Sequence, residues 1–562
     1  MRCNPVIIIA LLLSLLLPAS AAALPQQPHP QDSSLPAVIL TDTPVNCAAS
    51  QTWYSPDWHY RKKITINHTR VAGDLTNFPV LISLDADADL RDRAQDDGDD
   101  ILFTLGDGST RLAHEMEQFD PITGKLIAWV RVPSLSSSSD TEIYMYYGNP
   151  DCVAQQAPED VWDSSFVMVQ HLSDRDASTT ADSTSNNNDG TKSSASNPQE
   201  VNARIGKGQD FSEDYINCGN LGIGDRYTAE CWMKADTLSG TGDQDTYGFT
   251  LMASSNDTGY YPLWLTVRGS EVRLWAYEAS AAGYQETSGA GLVTGSYFYI
   301  VATAVKNSTA EVYVNGELKL SFTNDGEVDW TSIFTMGDLR PDAGIYFDGI
   351  MDEVRISNTV RSTYWIQTCY NNQSSPSTFY TVGSEEILLA LHGWGWCPLN
   401  YKKAGNATLE GALTIAPRSG EPGVSDIRVR GTINLVYPDN STATFNLDLQ
   451  GVKTGTAFYL TEPETREFFL SGRFKTAFSG VWLTWETGEE YIDCAGTVLE
   501  IVEPEVLRTI SPCFFELYSD QETSQDEDLN LIRSTARKLS QFCVDLVNFL
   551  QTLINTLTGR QA

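Results

Sequence analysis

The sequence predicts a mostly β protein: tandem β-sandwich domains, then a third antiparallel β-domain and a C-terminal helix. Three observations predict this class. Apolar residues alternate with period two through most of residues 53–507, and Gly, Pro, Asn and Asp interrupt the alternation at short intervals. After residue 528 the apolar spacing changes to steps of three and four. The 562 residues, 41% of them hydrophobic, are enough for three or four domains.

The net charge of the chain limits which binding partners can be expected. Lys+Arg number 37 and Asp+Glu 73, so the net charge is −36. Phosphate groups would repel such a chain, and a nucleic-acid partner is therefore not expected. Cations, including calcium, fit this balance as partners.

Residues 1–23 are predicted to be a signal peptide. Arg2 precedes an apolar run from Val6 to Leu17, and small residues suited to cleavage follow it. The run is too short for a bilayer core of ~30 Å, and no later segment is apolar over ~18 residues. The sequence therefore predicts a secreted or cell-surface protein without a transmembrane anchor. Residues 24–50, with five prolines, are predicted to be a linker.

The cysteine count suggests disulfide bonds. After removal of the signal peptide nine cysteines remain, at positions 47, 152, 218, 231, 369, 397, 494, 513 and 543. In an oxidising compartment eight can pair, and one is left free or pairs between chains.

Residues 51–160 are predicted to form the first β-sandwich. Apolar alternation such as Phe78/Val80/Ile82 marks its strands. The motifs are Trp58-His-Tyr-Arg-Lys-Lys-Ile-Thr-Ile66, Phe78-Pro-Val-Leu-Ile82, Asp97-Gly-Asp-Asp-Ile-Leu-Phe-Thr104, Ala128-Trp129 and Tyr146-Tyr-Gly-Asn149. They resemble an uncharacterised β-domain family of secreted and surface proteins of prokaryotes, a resemblance that implies architecture and no chemistry.

An acidic run inside this domain, Asp85 to Asp100, superficially resembles a calcium-binding EF-hand loop. It lacks the turn glycine at the sixth position and the glutamate at the twelfth. We expect a short helix capped near Asp87 or Asp89, with calcium binding as the alternative.

Residues 161–385 carry a second set of motifs. They are Asp182-Ser-Thr-Ser-Asn-Asn-Asn-Asp-Gly190, Gly206-Lys-Gly-Gln-Asp-Phe211, Tyr227-Thr-Ala-Glu-Cys-Trp232, Val312-Tyr-Val-Asn-Gly316 and Phe347-Asp-Gly-Ile-Met-Asp-Glu-Val-Arg-Ile356. This stretch resembles a LamG-like domain, which implies a concanavalin A-like jelly roll. The resemblance also implies sugar or protein binding, often aided by calcium, although enzymes share the fold. Independently, Asn315-Gly316 between two strand-like runs predicts a tight hairpin.

A second hairpin, Pro262 to Tyr277, contains the candidate carbohydrate-binding residues. With a two-residue turn at Gly269-Ser270, Trp264 faces Trp275 across the hairpin. Arg273, Thr266 and Tyr277 are predicted to share that face, off the core. Flat rings beside hydrogen-bond donors suit a sugar. The alternatives are a slipped register, or a loop or domain that covers the tryptophans.

No catalytic constellation is found. Glycoside hydrolases of this fold group use two facing carboxylates, ~5 Å apart when retaining and ~6.5 to 9.5 Å apart when inverting. Asp352 and Glu353 are neighbours in a predicted strand, so we expect them to point to opposite faces. H-E-x-x-H and G-x-S-x-G motifs do not occur in the sequence. The sequence therefore predicts a protein that is not an enzyme.

Asp352 is the candidate metal ligand. It shares strand parity with Ile350, Val354 and Ile356, so its carboxylate is predicted on the apolar face, where it needs a partner. It is either a structural aspartate, satisfied by backbone N–H groups or an arginine, or a calcium ligand at the sandwich edge.

Residues 386–507 are predicted to be an antiparallel β-domain, and 520–558 an amphipathic helix. The apolar seam of this helix, Leu529 to Leu557, suits packing against another helix, a bundle or a long groove. Cys543 lies on the seam, so an interchain disulfide between two copies is one hypothesis. The alternative is that Cys543 pairs with Cys513 or stays reduced.

Together these features predict an exported, non-catalytic binding or adhesion protein that recognises carbohydrate or a surface glycoconjugate through residues 161–385. A structural cell-surface or assembly component, self-associating through the C-terminal helix, is the first alternative. A glycoside hydrolase is the second.

Overall fold

The computed structural model describes residues 53–519, except 175–177, 195–196, 256–260, 279–282, 325–331, 342, 401–402, 419, 437–441, 455–456, 462–467, 477–489, 504–505 and 510–512. The predicted signal peptide, linker and C-terminal helix, and with them Cys543, lie outside the described residues. Within the described part, no helix is long and apolar enough to cross a membrane.

The first sandwich is made of short antiparallel strands, as the alternation predicts. Its strands are β1 (Tyr60–Ile66), β2 (Leu75–Leu84), β3 (Leu102–Leu105), β4 (Arg111–Leu112), β5 (His114–Asp120), β6 (Lys125–Leu135) and β7 (Thr141–Tyr147). Its helices are a 3-10 turn (His68–Arg70), α1 (Ala88–Arg93) and α2 (Pro158–Val161). One sheet has the order β2-β6-β5, and the other contains β1-β7-β3-β4.

Helix α1 confirms the capped helix predicted in the acidic run. The Asp87 side chain accepts the N–H groups of Asp89 and Leu90, both at 3.0 Å. Lys62 Nζ lies 2.7 Å from carboxylate oxygens of both Asp87 and Asp89, so a side-chain cation pairs with both carboxylates.

The jelly roll consists of two larger antiparallel sheets. Its strands are β8 (Phe166–Gln170), β9 (Thr179–Thr180), β10 (Gly190–Lys192), β11 (Gln199–Asn202), β12 (Lys207–Ser212), β13 (Ile216–Asn217), β14 (Arg226–Ala235), β15 (Phe249–Ser255), β16 (Tyr261–Arg268), β17 (Glu271–Glu278), β18 (Gln285–Glu286), β19 (Tyr297–Val305), β20 (Thr309–Val314), β21 (Glu317–Thr323), β22 (Ile333–Met336) and β23 (Asp348–Ser357). The inner sheet, which faces the first sandwich, has the order β11-β12-β23-β14-β19-β20-β21, with β8 beside β23. The outer sheet has the order β18-β17-β16-β15-β22-β13-β10-β9. Helices α3 (Asp243–Tyr247), α4 (Thr363–Ser374) and α5 (Pro376–Phe379) complete it.

The remaining strands form an antiparallel sheet, as predicted for residues 386–507. They are β24 (Tyr380–Asn400), β25 (Lys403–Pro417), β26 (Val424–Val436), β27 (Thr442–Thr454), β28 (Ala457–Thr461), β29 (Phe468–Thr476), β30 (Glu490–Glu503), β31 (Val506–Thr509) and β32 (Cys513–Ser519). Strand β24 runs through the predicted boundary at 385/386. Its first residues pair with β1, so the sheet of the first sandwich continues into the third region.

The first sandwich and the jelly roll share one hydrophobic core. Phe78 and Trp129 of the first sandwich belong to the same buried cluster as Trp232 and Tyr299 of the inner sheet. Helix α4 adds Trp365 to this cluster. The inner sheet therefore has an apolar surface on each side, one toward its own sandwich and one toward its neighbour.

The four cysteines whose side chains are described are free thiols: Cys152, Cys218, Cys231 and Cys369. The expectation that eight cysteines pair is therefore wrong. Cys218 and Cys231 lie in the jelly-roll core, whereas Cys369 lies in the shared core. Apolar packing accounts for their burial without a disulfide.

Candidate functional site

The tryptophan hairpin has the predicted register. Strands β16 and β17 pair Trp264 with Trp275, and Leu265 with Leu274. The two indole rings stack with centroids 4.1 Å apart and an interplanar angle of 23°. The two-residue turn at Gly269-Ser270, where Gly269 has φ +58°, fixes this register because glycine adopts that conformation without strain.

The expected exposure of this pair is wrong. Trp264 is 1% exposed and Trp275 is fully buried, because other segments cover the outer sheet. A loop that follows β22 contributes Leu339 and Ile345 to the cover. The Asp338 carboxylate holds this loop in place by accepting the N–H groups of Leu339, Ala343, Gly344 and Ile345 at 2.8 to 3.2 Å. The alternative of a covering loop is therefore the correct one.

Tyr277 does not share the face of the tryptophans. Its backbone is left-handed, with φ +56°, which breaks the strand alternation at this residue. The ring lies in the jelly-roll core beside Tyr227, with centroids 5.9 Å apart, and its hydroxyl donates to the Gly224 carbonyl at 2.9 Å. The prediction that Tyr277 joins the tryptophans is wrong.

Three tyrosines surround the tryptophan pair, and together these five residues form what we call the aromatic cluster: Tyr247, Tyr261, Trp264, Trp275 and Tyr284. The Tyr261 and Tyr284 centroids each lie 4.9 Å from a tryptophan, and that of Tyr247 lies 5.5 Å from Trp264. Tyr247 and Tyr284 are only partly buried, so they form the solvent side of the cluster.

Arg273 lies at the rim of the aromatic cluster. It is 3% exposed, and its guanidinium carbon lies 4.6 Å from the Tyr284 ring centroid. Its Nε donates to Glu286 at 2.7 Å, and its Nη1 donates to the Thr246 carbonyl at 2.8 Å. Arg273 therefore orients Tyr284 and the Glu286 carboxylate and is not itself presented to solvent.

Asp352 does not lie on the face of β23 that strand parity predicts. Strand β23 has a bulge opposite Glu230 and Trp232, and Glu353 in this bulge has φ +53°. Met351, Val354 and Ile356 point into the jelly-roll core. Asp352 and Glu353 both point toward the first sandwich, because a bulge places two residues opposite one. The predicted placement of Asp352 on the face of Val354 and Ile356, the sandwich-edge position and the expected opposite faces of this pair are all wrong. The Asp352 carboxylate does accept a backbone N–H, that of Ile205 at 2.7 Å, as the structural alternative predicts.

The bulge creates a second candidate site, which we call the interdomain charge cluster: Glu115, Glu117, His171, Asp352, Glu353 and Arg355. Glu115 and Glu117 come from β5, and His171 directly follows β8. His171 Nδ1 lies 2.7 Å from Glu353 Oε1 and 3.8 Å from Glu117 Oε2, while its Nε2 lies 3.2 Å from Glu115 Oε2. These histidine and carboxylate side chains are at most 11% exposed.

Two aromatic rings, Trp129 of β6 and Trp162 directly after α2, enclose this cluster. The Arg355 guanidinium pairs with Glu353 and lies 4.2 Å from the Trp129 ring centroid and 4.8 Å from that of Trp162. Trp162 Nε1 donates to Glu115 at 2.8 Å, and Trp129 Nε1 donates to Glu117 at 3.4 Å. Both indole N–H groups therefore donate hydrogen bonds to carboxylates of β5.

Burial and charge set the protonation states in the cluster. Burial and the neighbouring Glu353 carboxylate raise the pKa of Glu117 to about 8 and that of Asp352 well above its ordinary value. Burial alone would lower the pKa of His171, but Glu353 and Glu115 outweigh it and raise that pKa well above its ordinary value. His171 and Arg355 together overcome burial and lower the pKa of Glu353.

The sequence did not predict Glu117, His171 and Arg355 as residues of a functional site. One signal was present: Glu115 and Glu117 share strand parity in β5, so both reach the same face. The partner side chains come from β8 and β23, far along the chain, and only the docking of the first sandwich on the inner sheet brings them together.

Comparisons with known proteins support the domain architecture. Residues 210–367 match the family model of the concanavalin A-like lectin/glucanases superfamily, and residues 97–186 match a domain of unknown function, DUF2341. A search of curated proteins found no significant match.

A search of solved structures matched domain 4 of AbnA, an extracellular arabinanase from Geobacillus stearothermophilus, in complex with arabinotriose. It is 20% identical, with coverage of 36% of this chain and 97% of that domain and a TM-score of 0.30. The binding domain of botulinum neurotoxin serotype D is 12% identical, with coverage of 65% and 98% and a TM-score of 0.29. The binding domain of Paraclostridial Mosquitocidal Protein 1 is 11% identical, with coverage of 64% and 98% and a TM-score of 0.29.

The family matches agree with the resemblances that the motifs carry. The chain contains a jelly-roll domain of the concanavalin A-like lectin/glucanases superfamily, preceded by a DUF2341 domain.

Proposed function

We propose that this protein is an exported, non-catalytic binding protein that recognises carbohydrate or a surface glycoconjugate through the aromatic cluster of its jelly roll. The observation that carries the proposal is the pair of partly buried rings, Tyr247 and Tyr284, supported from below by the stacked tryptophans. A sugar ring stacks on flat aromatic surfaces of this kind.

Hydrogen-bonding groups beside Tyr284 support the same proposal. The Glu286 side chain is 38% exposed and is held by Arg273. A carboxylate fixed in this way would accept hydrogen bonds from neighbouring sugar hydroxyls while the ring of the sugar lies on Tyr284. In this proposal Trp264 and Trp275 do not touch the ligand; they keep the tyrosines in place.

The non-catalytic part of the proposal is supported by accessibility. Glu117 and Glu353, two carboxylates that come within 4.8 Å of each other, have side chains that are each 1% exposed. A glycosidic bond would have to enter the shared core to lie between them.

The test is a glycan array probed with the full mature chain, with and without chelator, followed by calorimetric titration of the best glycan. We expect Tyr284→Ala and Tyr247→Ala each to weaken binding by about tenfold, the loss of one stacking contact. Tyr364→Ala, at a tyrosine of α4 that is 57% exposed, is the matched control and should leave the affinity unchanged. No glycan bound, or equal affinity in both cluster variants, would overturn the proposal. A loss of affinity with chelator would assign calcium a role in binding.

A further inference from the structure

The interdomain charge cluster places three metal-binding atoms around one point. His171, Glu353 and Glu117 each offer one ligand atom, and these three atoms all lie within 4.8 Å of one another. Tetrahedral zinc with bonds of about 2.0–2.1 Å needs ligand atoms roughly 3.3 Å apart. The two distances from His171 Nδ1, 2.7 and 3.8 Å, bracket that value, so small side-chain shifts are enough to admit the ion.

The groups behind these three atoms are arranged as in a metal site. His171 presents its other nitrogen, Nε2, to Glu115, which is itself fixed by Trp162 Nε1 at 2.8 Å and Ser183 Oγ at 2.6 Å. A histidine ligand commonly donates its second N–H to a carboxylate, which fixes the orientation of the ring. Arg355 and Trp129 hold Glu353 and Glu117 in the same way.

Two further carboxylate oxygens of the cluster are buried beside the turn that precedes β12. Among the described residues, Glu117 Oε1 and Asp352 Oδ1 have no hydrogen-bond partner. Both approach the turn that precedes β12: Ile205 N–H donates to the other Asp352 oxygen at 2.7 Å, and a Cβ on Gly206 would lie 2.3 Å from Glu117 Oε1. Buried polar atoms without partners are uncommon and require an explanation.

The excess of negative charge around the cluster also favours a bound cation. The region holds five buried carboxylates (Glu115, Glu117, Glu230, Asp352 and Glu353) and one permanently cationic side chain, Arg355, because His171 is neutral when it binds a metal. A divalent cation would offset half of this excess of four negative charges, and without one some of the carboxylates must carry protons.

We propose that His171, Glu117 and Glu353 bind a zinc ion that ties the DUF2341 domain to the jelly roll. Glu115 is a positioning residue for His171. Zinc suits this site because an imidazole nitrogen with carboxylate oxygens is a common zinc ligand set. Calcium prefers six to eight oxygen ligands and fits a site centred on an imidazole poorly.

The first experiment measures metal in the full mature chain. Elemental analysis of the purified protein is followed by chelation and by titration with zinc, calcium or magnesium alone while the melting temperature is recorded. We expect one zinc per chain and a rise in melting temperature with zinc, because a ligand that binds only the folded state stabilises it. A chain that takes up no zinc, or responds to calcium and magnesium but not to zinc, would overturn the proposal.

Variants then locate the ion. Glu115→Gln should weaken zinc binding roughly 10–100-fold, the usual effect of a group behind a ligand, and Glu117→Gln by more than Glu115→Gln. Glu386→Gln is the matched control: this carboxylate is 15% exposed and pairs with Arg61 at 2.7 Å, outside the interdomain charge cluster, so its zinc affinity should equal that of the parent. Equal affinity of Glu117→Gln and the parent would refute the site.

X-ray absorption of the zinc-loaded parent gives an answer even if a variant fails to fold. Scattering from one imidazole with oxygen neighbours supports the proposal. Sulfur neighbours, which would indicate binding by cysteines, overturn it.

Discussion

At the scale of single residues, backbone conformation decides where the chemistry lies. Glu353 and Tyr277 both adopt left-handed φ values, +53° and +56°, that side chains with a Cβ rarely take. Each breaks the strand alternation on which the sequence prediction depends. At Glu353 the break brings two carboxylates to one face, and at Tyr277 it moves a ring from the outer face into the core.

Trp264 should prove structural. Trp264→Ala removes a side chain that is 1% exposed, and we expect the free energy of unfolding to fall by about 3–5 kcal/mol. Denaturant titration of the full chain measures this, with Tyr364→Ala as the surface control. A variant as stable as the parent would mean that the indole is exposed in solution.

Glu385 should make stability depend on pH. Burial, then repulsion by Asp89, raises its pKa from 4.5 to about 7. The folded state therefore holds a proton that the unfolded state has released, and stability declines as pH rises from 4.5 to 7. Glu385→Gln should remove roughly 1–3 kcal/mol of that decline. The measurement is denaturant unfolding at pH 5 and pH 8, with the surface variant Glu142→Gln as control; an unchanged pH profile in Glu385→Gln contradicts the expectation.

At the scale of elements, turn chemistry was the most informative local signal. The Asn315-Gly316 pair joins β20 to β21 with φ values of +52° and +79°, as its sequence predicts for a tight hairpin. The same reasoning gave the register of the tryptophan hairpin. A hairpin needs only its own residues to specify its geometry, so the sequence suffices here.

Gly316→Ala tests this turn. A Cβ would be strained at φ +79° and would lie 3.2 Å from Tyr370 Cβ, so we expect a loss of about 1–2 kcal/mol in unfolding free energy. Glu317→Ala, at the neighbouring exposed residue, should cost much less. Equal losses from the two substitutions would show that the left-handed turn is not what stabilises the hairpin.

At the scale of the whole molecule, the jelly roll is not an independent body. The face of its inner sheet that carries Trp232 and Tyr299 is buried against the first sandwich, and α4 closes the junction with Trp365. Asn372 of α4 also exchanges two hydrogen bonds with the Leu81 backbone, at 2.7 and 3.0 Å. We therefore expect each of the two domains to contribute to the free energy of unfolding of the other.

A fragment of residues 161–385 should consequently be unstable and aggregate when it is produced alone. It would expose the apolar face of the inner sheet, so we expect aggregation and strong binding of a hydrophobic dye. A fragment of residues 53–388, which keeps the pairing of β24 with β1, should stay soluble. Size-exclusion chromatography compares them, and a monomeric, cooperatively melting 161–385 fragment would contradict a shared core.

The interchain bridge at Cys543 stays a prediction. Nine cysteines would remain after removal of the predicted signal peptide, and four of them are free thiols, so 9 − 4 leaves five, again an odd number. We expect a dimer band on non-reducing electrophoresis of secreted protein that disappears in Cys543→Ser. A band that persists in that variant, or no dimer in the parent, rules out the bridge.

The sequence by itself determined the β class, the two family resemblances, the capped helix α1 and the pairing of Trp264 with Trp275. Each depends on short-range periodicity, on turn residues or on motifs, which are local properties of the chain. Only the tertiary structure decided that a loop held by Asp338 covers the tryptophans and that His171, Glu117 and Glu353 meet between two domains. Those contacts join segments far apart along the chain, and the bulge that orients Glu353 forms only when β23 pairs with its neighbours.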